Sequence, residues 1–311
     1  MIHSSASIRL PLQIVLALSA WNALNLCCWG NADELQVVRS VEYATYEGRD
    51  AKGNLTGKTK KLLADIYLPN LPKGDSEEVV GSFPTVLMVH GGAWFSGNKA
   101  HVTLHARDVA EAGYAVVAVN YRLAPHYKFP AQMEDLRSAL RFIRSNAEKY
   151  KFDTDRIAAY GYSAGAQLAA LLAVTQNEDP KNVVKGARVR AVVAGGTPCE
   201  FSWIPERSER LAFWLGSSRA EQPAAYANAS PTTFVNEGDP PLFLFHGTKD
   251  RIVPYGSPKQ MKTLLEKNHV PHAFFTVKDA DHMRAFLDPK PRVAAVRFLE
   301  KHLELPAQST E

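Results

Sequence analysis

Hydrophobic and polar positions change period repeatedly along this chain, and the changes mark its elements. Ala64-Asp65-Ile66-Tyr67-Leu68-Pro69 alternates apolar and polar residues, which predicts a half-buried strand. Thr85–Val89 is a near-continuous apolar run and Tyr114–Val119 repeats it, as expected of strands buried on both faces of a parallel sheet. From Pro130 to Tyr150 the period becomes helical. Met133, Leu136, Leu140 and Ile143 fall on one stripe, with Glu134, Arg137, Arg141 and Arg144 off it and Pro130 in the first turn.

Arg156–Tyr160 reads as the next strand, followed by an alanine-rich helix over Ala164–Val174 whose small side chains let it lie close on a sheet. Val189–Ala194 and Leu242–Phe245 predict further strands, Ser257–Lys267 a helix, Ala273–Val277 a last strand and Arg292–Leu303 a last helix. This alternation predicts an α/β fold, a mostly parallel central sheet with helices on both faces. Residues 198–235 break the pattern. They hold Trp203, Pro205, Phe213, Trp214, Pro223 and Pro231 with little strand character, and are expected to form an excursion or short cap near the mouth of a site, or else an ordinary helix and long connection.

The first 32 residues have a different texture. One charged side chain, Arg9, precedes an apolar stretch from Leu10 to Trp29, and Asp33 and Glu34 follow Gly30-Asn31-Ala32. This predicts a secretory signal peptide over residues 1–32, cleaved near Ala32, ahead of a single catalytic domain over 33–311. An uncleaved anchor fits less well, because Gln13, Asn22 and Asn25 interrupt the apolar run. The expected destination is the periplasm or extracellular space, with no stable membrane association after cleavage. Removing the leader leaves Cys199 as the one cysteine, so an exported chain would have no internal disulfide and would rely on its core.

Composition alters this picture little. At 311 residues, with 46% hydrophobic and 22% charged, the chain can bury a large core. A formal net charge of +4, without a basic run, gives no reason to invoke nucleic acid. No G-x-G-x-x-G opens a helix, no phosphate-binding loop is present and no histidines fall in H-E-x-x-H spacing, so neither a cofactor nor a metal is expected. Asn54 and Asn228 sit in Asn-x-Ser/Thr sequences, which matter only if the source glycosylates exported proteins.

The candidate chemistry centres on Gly161-Tyr162-Ser163-Ala164-Gly165, a G-x-S-x-G run between a predicted strand and a predicted helix. In that context the chain turns so sharply that the serine is strained and its hydroxyl is presented at the sheet edge. A serine hydroxyl needs a base, a group to orient the base, and donors for a developing oxyanion. His282, in the loop after the last predicted strand, is the candidate base among ten histidines. Asp250, three residues past the glycine of His246-Gly247-Thr248-Lys249-Asp250, is the candidate orienting acid. Both loops leave the carboxyl ends of strands, where ligand crevices of open α/β sheets form. Asp239 precedes its strand and lies at the wrong end, whereas Asp279 and Asp281 read as solvated loop acids. His90-Gly91-Gly92-Ala93-Trp94 follows a buried strand, and the amides of Gly91 and Gly92, with that of Ala164, are the candidate oxyanion donors. His90 is expected to hold this loop. Trp94 and Tyr162 are candidates for substrate contact.

These runs, together with Asn120-Tyr121-Arg122-Leu123-Ala124-Pro125, Phe129-Pro130-Ala131-Gln132, Asp153-Thr154-Asp155-Arg156-Ile157, Ser230-Pro231 and Pro240-Pro241, resemble the carboxylesterase/lipase branch of the α/β-hydrolases. That branch includes hormone-sensitive-lipase-like esterases and bacterial acetylxylan or feruloyl esterase-type domains, and the likeness covers nearly all of residues 35–305. The resemblance implies an α/β-hydrolase fold, a Ser163, Asp250 and His282 triad in that chain order, and an oxyanion hole from Gly91, Gly92 and Ala164. Two positions depart from the family pattern. Ala93 replaces the third glycine of H-G-G-G, and Ala166 stands where glycine is common, which bears on the shape of the acyl pocket. With no long N-terminal cap, the chain is more similar to the shorter carbohydrate-esterase type.

The expectation is therefore an exported serine ester hydrolase acting on a small-molecule or glycan ester, with short acyl groups such as acetyl or feruloyl on polysaccharide. An amide hydrolase, peptidase or arylformamidase, would use the same triad. A non-catalytic binding module on the same fold is a third reading, and it usually lacks a triad member.

Overall fold

The computed structural model describes residues 35–69, 81–176 and 188–303. The residues expected to form the leader lie outside that set. Eight strands form one sheet: β1 (Gln36–Arg49), β2 (Leu55–Leu68), β3 (Phe83–Val89), β4 (Ala115–Val119), β5 (Phe152–Tyr162), β6 (Ala191–Gly195), β7 (Leu242–Gly247) and β8 (His272–Val277). Their spatial order is β1-β2-β4-β3-β5-β6-β7-β8. The β1–β2 and β2–β4 pairs are antiparallel, and every pair from β4 across to β8 is parallel. This is the mostly parallel α/β sheet that the alternation predicts.

Helices cover both faces of the parallel part, so β4 and β6 are buried along their whole length and β3 from Pro84 onward. The helices are α1 (Thr103–Glu111), α2 (Ala131–Ser145), α3 (Ala147–Tyr150), α4 (Ala164–Val174), α5 (Ala212–Leu215), α6 (Pro223–Ala229), α7 (Gly256–Lys267), α8 (His282–Leu287) and α9 (Pro289–Leu303). Helix α4 is buried at every position, which is why its sequence carries only one polar side chain, Gln167, and is otherwise apolar or glycine. The apolar stripe of α2 faces inward through Met133, Leu136, Ala139, Leu140 and Ile143.

The structure departs from the periodicity in several places. The helix expected over 130–150 breaks at Asn146, whose side-chain amide donates to the carbonyl of Phe142 at 3.0 Å. The single turn of α3 follows and ends on Lys151 with φ 55. Strand β1 has no counterpart in the sequence reading, and β2 starts nine residues before Ala64. Both are largely exposed there, and register shifts between Val38 and Val41, Glu42 and Ala44, and Glu47 and Arg49 destroy the two-residue alternation. Helices α1 and α8 were also unforeseen.

Residues 198–235 contain α5, α6 and a 3₁₀ turn at Pro231–Thr233, and no strand. Aromatic and amide contacts pin this excursion to the sheet loops. Trp214 stacks on Trp94 with ring centroids 3.8 Å apart and planes 6° apart, and Phe201 meets both rings edge-on. The Trp214 indole donates to Gln132 Oε1 at 3.1 Å, and Gln167 Nε2 donates to the carbonyl of Ala229 at 2.6 Å. Among the described residues no helix is long and apolar enough to cross a membrane.

Candidate active site

Four strand-to-loop junctions at the carboxyl edge of the sheet supply the site. The β5–α4 junction is the sharpest. Ser163 has φ 55 and ψ −122, a conformation that L side chains rarely adopt and that costs on the order of 1–3 kcal/mol. Its neighbours explain how the turn is held. A Cβ on Gly161 would sit 2.2 Å from the carbonyl oxygen of Gly165, and one on Gly165 would sit 2.2 Å from that of Val89. Both flanking positions must therefore be glycine for α4 to start directly on the end of β3. The Ser163 amide donates to the carbonyl of Gly195 at 2.8 Å, which locks the elbow to β6.

The loop after β3 lies against this helix start. Its His90 ring is buried, stacks on Tyr121 at 4.2 Å and places Nδ1 2.7 Å from the carbonyl of Gly91. Burial pulls its pKa from the usual 6.5 to about 4, with the Gly91 hydrogen bond opposing, so the ring is neutral and holds the loop. Gly92 turns with φ 119 and accepts from the amides of Phe95 and Ser96 at 3.2 and 3.0 Å. Among the described residues the amides of Gly91 and Gly92 have no hydrogen-bond partner, and Ala164, as the first residue of α4, has no intrahelical acceptor. The three candidate oxyanion donors are thus all unclaimed.

Asp250 and His282 meet as the sequence predicts. Nδ1 of His282 lies 2.6 Å from Oδ2 of Asp250, and both residues are buried. The other carboxylate oxygen accepts from the amides of Ile252 and Val253 at 2.8 and 2.9 Å. Burial alone would raise the Asp250 carboxyl. Its hydrogen bonds with His246 and His282 outweigh that and hold it well below the usual carboxylate range. With Nδ1–H committed to the carboxylate, Nε2 of His282 is free to accept a proton. His282 packs against Gly196, which has φ 57 and whose added Cβ would lie 2.9 Å from Cε1 of His282, and the carbonyl of the adjoining Gly195 accepts from the Ser163 amide. Among the described residues no direct hydrogen bond joins the serine hydroxyl to the imidazole. Such bonds commonly tighten only when substrate is bound.

Trp94 and Tyr162, the candidates for substrate contact, are both buried and their polar atoms are taken. The Trp94 indole donates to Gln167 Oε1 at 2.9 Å. The Tyr162 hydroxyl donates to the backbone carbonyl of His282, and its ring packs 5.0 Å from the imidazole. Asp281 caps α8 by accepting from the amide of Arg284 at 2.9 Å, and Asp279 pairs with Lys249 at 2.9 Å, so both are structural loop acids.

Sequence reasoning missed His246. It is fully buried at the end of β7, and its Nε2 lies 3.1 Å from Oδ2 of Asp250 and 3.0 Å from the carbonyl of Val253. The signal was present in its place four residues before the acid. Two open hollows of about 460 and 480 Å³ flank the β1–β2 hairpin and contain none of these residues.

A family model described as BD-FAE matches residues 64–265, a span that includes Ser163 and Asp250 and stops before His282. The chain is 31% identical over 189 residues to the probable carboxylic ester hydrolase LipM of Mycobacterium tuberculosis, covering 57% of this chain and 43% of that protein. It is 26% identical over 300 residues to a probable isoprenylcysteine alpha-carbonyl methylesterase of Oryza sativa subsp. japonica, covering 89% and 67%. The chain spans about half the length of the mycobacterial relatives it matches. Among solved structures, a truncated carbohydrate esterase from gut microbiota superposes with a TM-score of 0.71 over 87% of this chain and 97% of that one, at 22% identity. At that identity the likeness speaks for the fold.

Proposed function

The chain belongs to the BD-FAE family, and from that premise we propose that it hydrolyses carboxylic esters through Ser163, His282 and Asp250. The observation that carries this reading is the 2.6 Å contact between Asp250 and His282, with His282 packed on Gly196 and the strained Ser163 elbow bonded to the adjoining Gly195. Ser163 Oγ attacks the ester carbonyl carbon while His282 Nε2 takes its proton. The tetrahedral oxyanion accepts from the amides of Gly91, Gly92 and Ala164. The carbon–oxygen bond to the alcohol then breaks, and His282 returns the proton to the leaving oxygen. Water, deprotonated by the same imidazole, hydrolyses the acyl-enzyme and restores the serine. Asp250 stays ionised throughout and stabilises the imidazolium.

The substrate is a short-chain ester, with acetyl or feruloyl groups on polysaccharide the proposed natural targets. Similarity to proteins named as ester hydrolases and to a carbohydrate esterase supports this choice. Residues 1–32 are proposed as a cleaved export signal, which would bring the enzyme to polymeric substrates outside the cytoplasm.

Hydrolysis of p-nitrophenyl esters from acetate to decanoate tests the reading. The mature chain is expected to cleave short esters fastest, and Ser163→Ala to lose at least about 10⁴-fold in kcat. Equal activity in the mutant would remove Ser163 from the mechanism. Activity confined to anilides would move the assignment to amide hydrolysis.

A further inference from the structure

The buried His246 has no part in the mechanism above, yet it touches the same carboxylate oxygen as the candidate base. We propose that His246 is a positioning residue: its Nε2–H, shared between Oδ2 of Asp250 and the carbonyl of Val253, fixes the 250–253 turn and tempers the pull of the carboxylate on His282. The inference rests on the Ser163, His282 and Asp250 reading.

The geometry assigns the tautomer. Nε2 faces two acceptors, at 3.1 and 3.0 Å, so it must carry hydrogen. Nδ1 is buried with no partner among the described residues, and a second proton there would be left unsatisfied. His246 therefore donates through Nε2. The arrangement is closed on every side. Oδ2 of Asp250 meets the two imidazoles, and Oδ1 meets the amides of Ile252 and Val253. The carbonyl of Val253 returns to His246. The turn therefore has one carboxylate rotamer available, the one that meets Nδ1 of His282.

A second donor on Oδ2 also withdraws charge from it, so His282 gains less from holding a proton. Other polar groups around the pair do not duplicate this effect. Tyr255 faces the His246 ring at 5.9 Å, and Thr276 is its register partner on β8. Tyr162 donates to the backbone of His282, not to the carboxylate. Asp281 is engaged in capping α8, and Lys249 pairs with Asp279 at the surface.

The test compares wild type, His246→Leu and His246→Gln, with Ser163→Ala and Asp250→Asn as references, all on p-nitrophenyl acetate across pH 5 to 9. Rates of wild type and the His246 variants are normalised to sites titrated by a phosphonate ester, and those of Ser163→Ala and Asp250→Asn to folded protein measured by circular dichroism, so that misfolded protein does not enter kcat. His246→Leu is expected to lower kcat by about 10- to 100-fold with KM unchanged. Its acid limb of kcat/KM should move up by about half a pH unit. His246→Gln places an N–H close to the original Nε2 and should recover most of kcat and the limb. A loss in His246→Leu with the limb unmoved, or no recovery in His246→Gln, reduces His246 to a packing residue and overturns the proposal. Full activity in Asp250→Asn would instead sink the triad reading, which keeps the two failures apart.

Discussion

Ser163, Asp250 and His282 come from three loops separated by 87 and 32 residues of chain, and each is held by a contact that its own residue type does not announce. Tyr162 is the clearest case. Directly before the serine, it invites a role in substrate contact, but its hydroxyl supports the backbone of His282 from inside the core. Tyr162→Phe should therefore leave KM unchanged and lower kcat by about 10-fold, as expected for losing one hydrogen bond that positions the proposed base, His282. Steady-state kinetics on a short ester checks this, and a rise in KM at constant kcat would return Tyr162 to the substrate side. The motif residues were legible because their chemistry demands a residue type at a fixed place: glycine at 161 and 165, a carboxylate after β7, a histidine after β8. The contacts of Tyr162, Trp94 and His246 were not legible because nothing in a one-dimensional pattern says which way a side chain at a strand end turns. Their roles depend on partners 73 to 120 residues away or, for His246, on a loop that doubles back.

At the scale of elements, burial decided what could be read. Strands β3, β4 and β6 and helix α4 appear in the sequence as apolar runs because both faces are covered. Strands β1 and β2 form a bulged, half-exposed hairpin with no such signature. The 198–235 excursion carries proline and aromatic residues but no period, and its order comes from contacts made elsewhere. Trp214 is fully buried between Trp94, Phe201 and Phe129, with its indole bonded to Gln132. Trp214→Ala should destabilise the protein by about 3–5 kcal/mol and, because Trp94 follows the oxyanion loop, lower ester turnover of the folded fraction as well. Urea unfolding with parallel kinetics checks both. A stability near wild type would mean that the excursion is held without the Trp214 contacts.

For the whole molecule, the described residues build one sheet whose carboxyl edge gathers the chemistry while buried histidines make its stability depend on pH. His90 and His105 lie in the core as neutral rings, burial bringing their pKa values down from 6.5 to about 4 and about 3. The unfolded chain binds protons at these residues below about pH 6.5 and the folded chain does not, so stability rises with pH across that interval. Conversely, it is lost as pH falls from about 6.5 toward 4 and continues to fall toward 3 through His105. Asp250, depressed below the usual carboxylate range, adds a further loss as pH falls below the ordinary carboxylate value of 3.8. Thermal melts should show Tm declining from pH 6.5 to 4, with the decline reduced in His105→Gln; a flat profile would mean that neither ring is buried in solution. The central claim, that Ser163 becomes acylated, is tested most directly by intact-mass and peptide mapping after brief reaction with a phosphonate ester. The account predicts one adduct per chain, on Ser163, formed in step with loss of esterase activity. An adduct on another residue, or full activity in protein phosphonylated at Ser163, would contradict it.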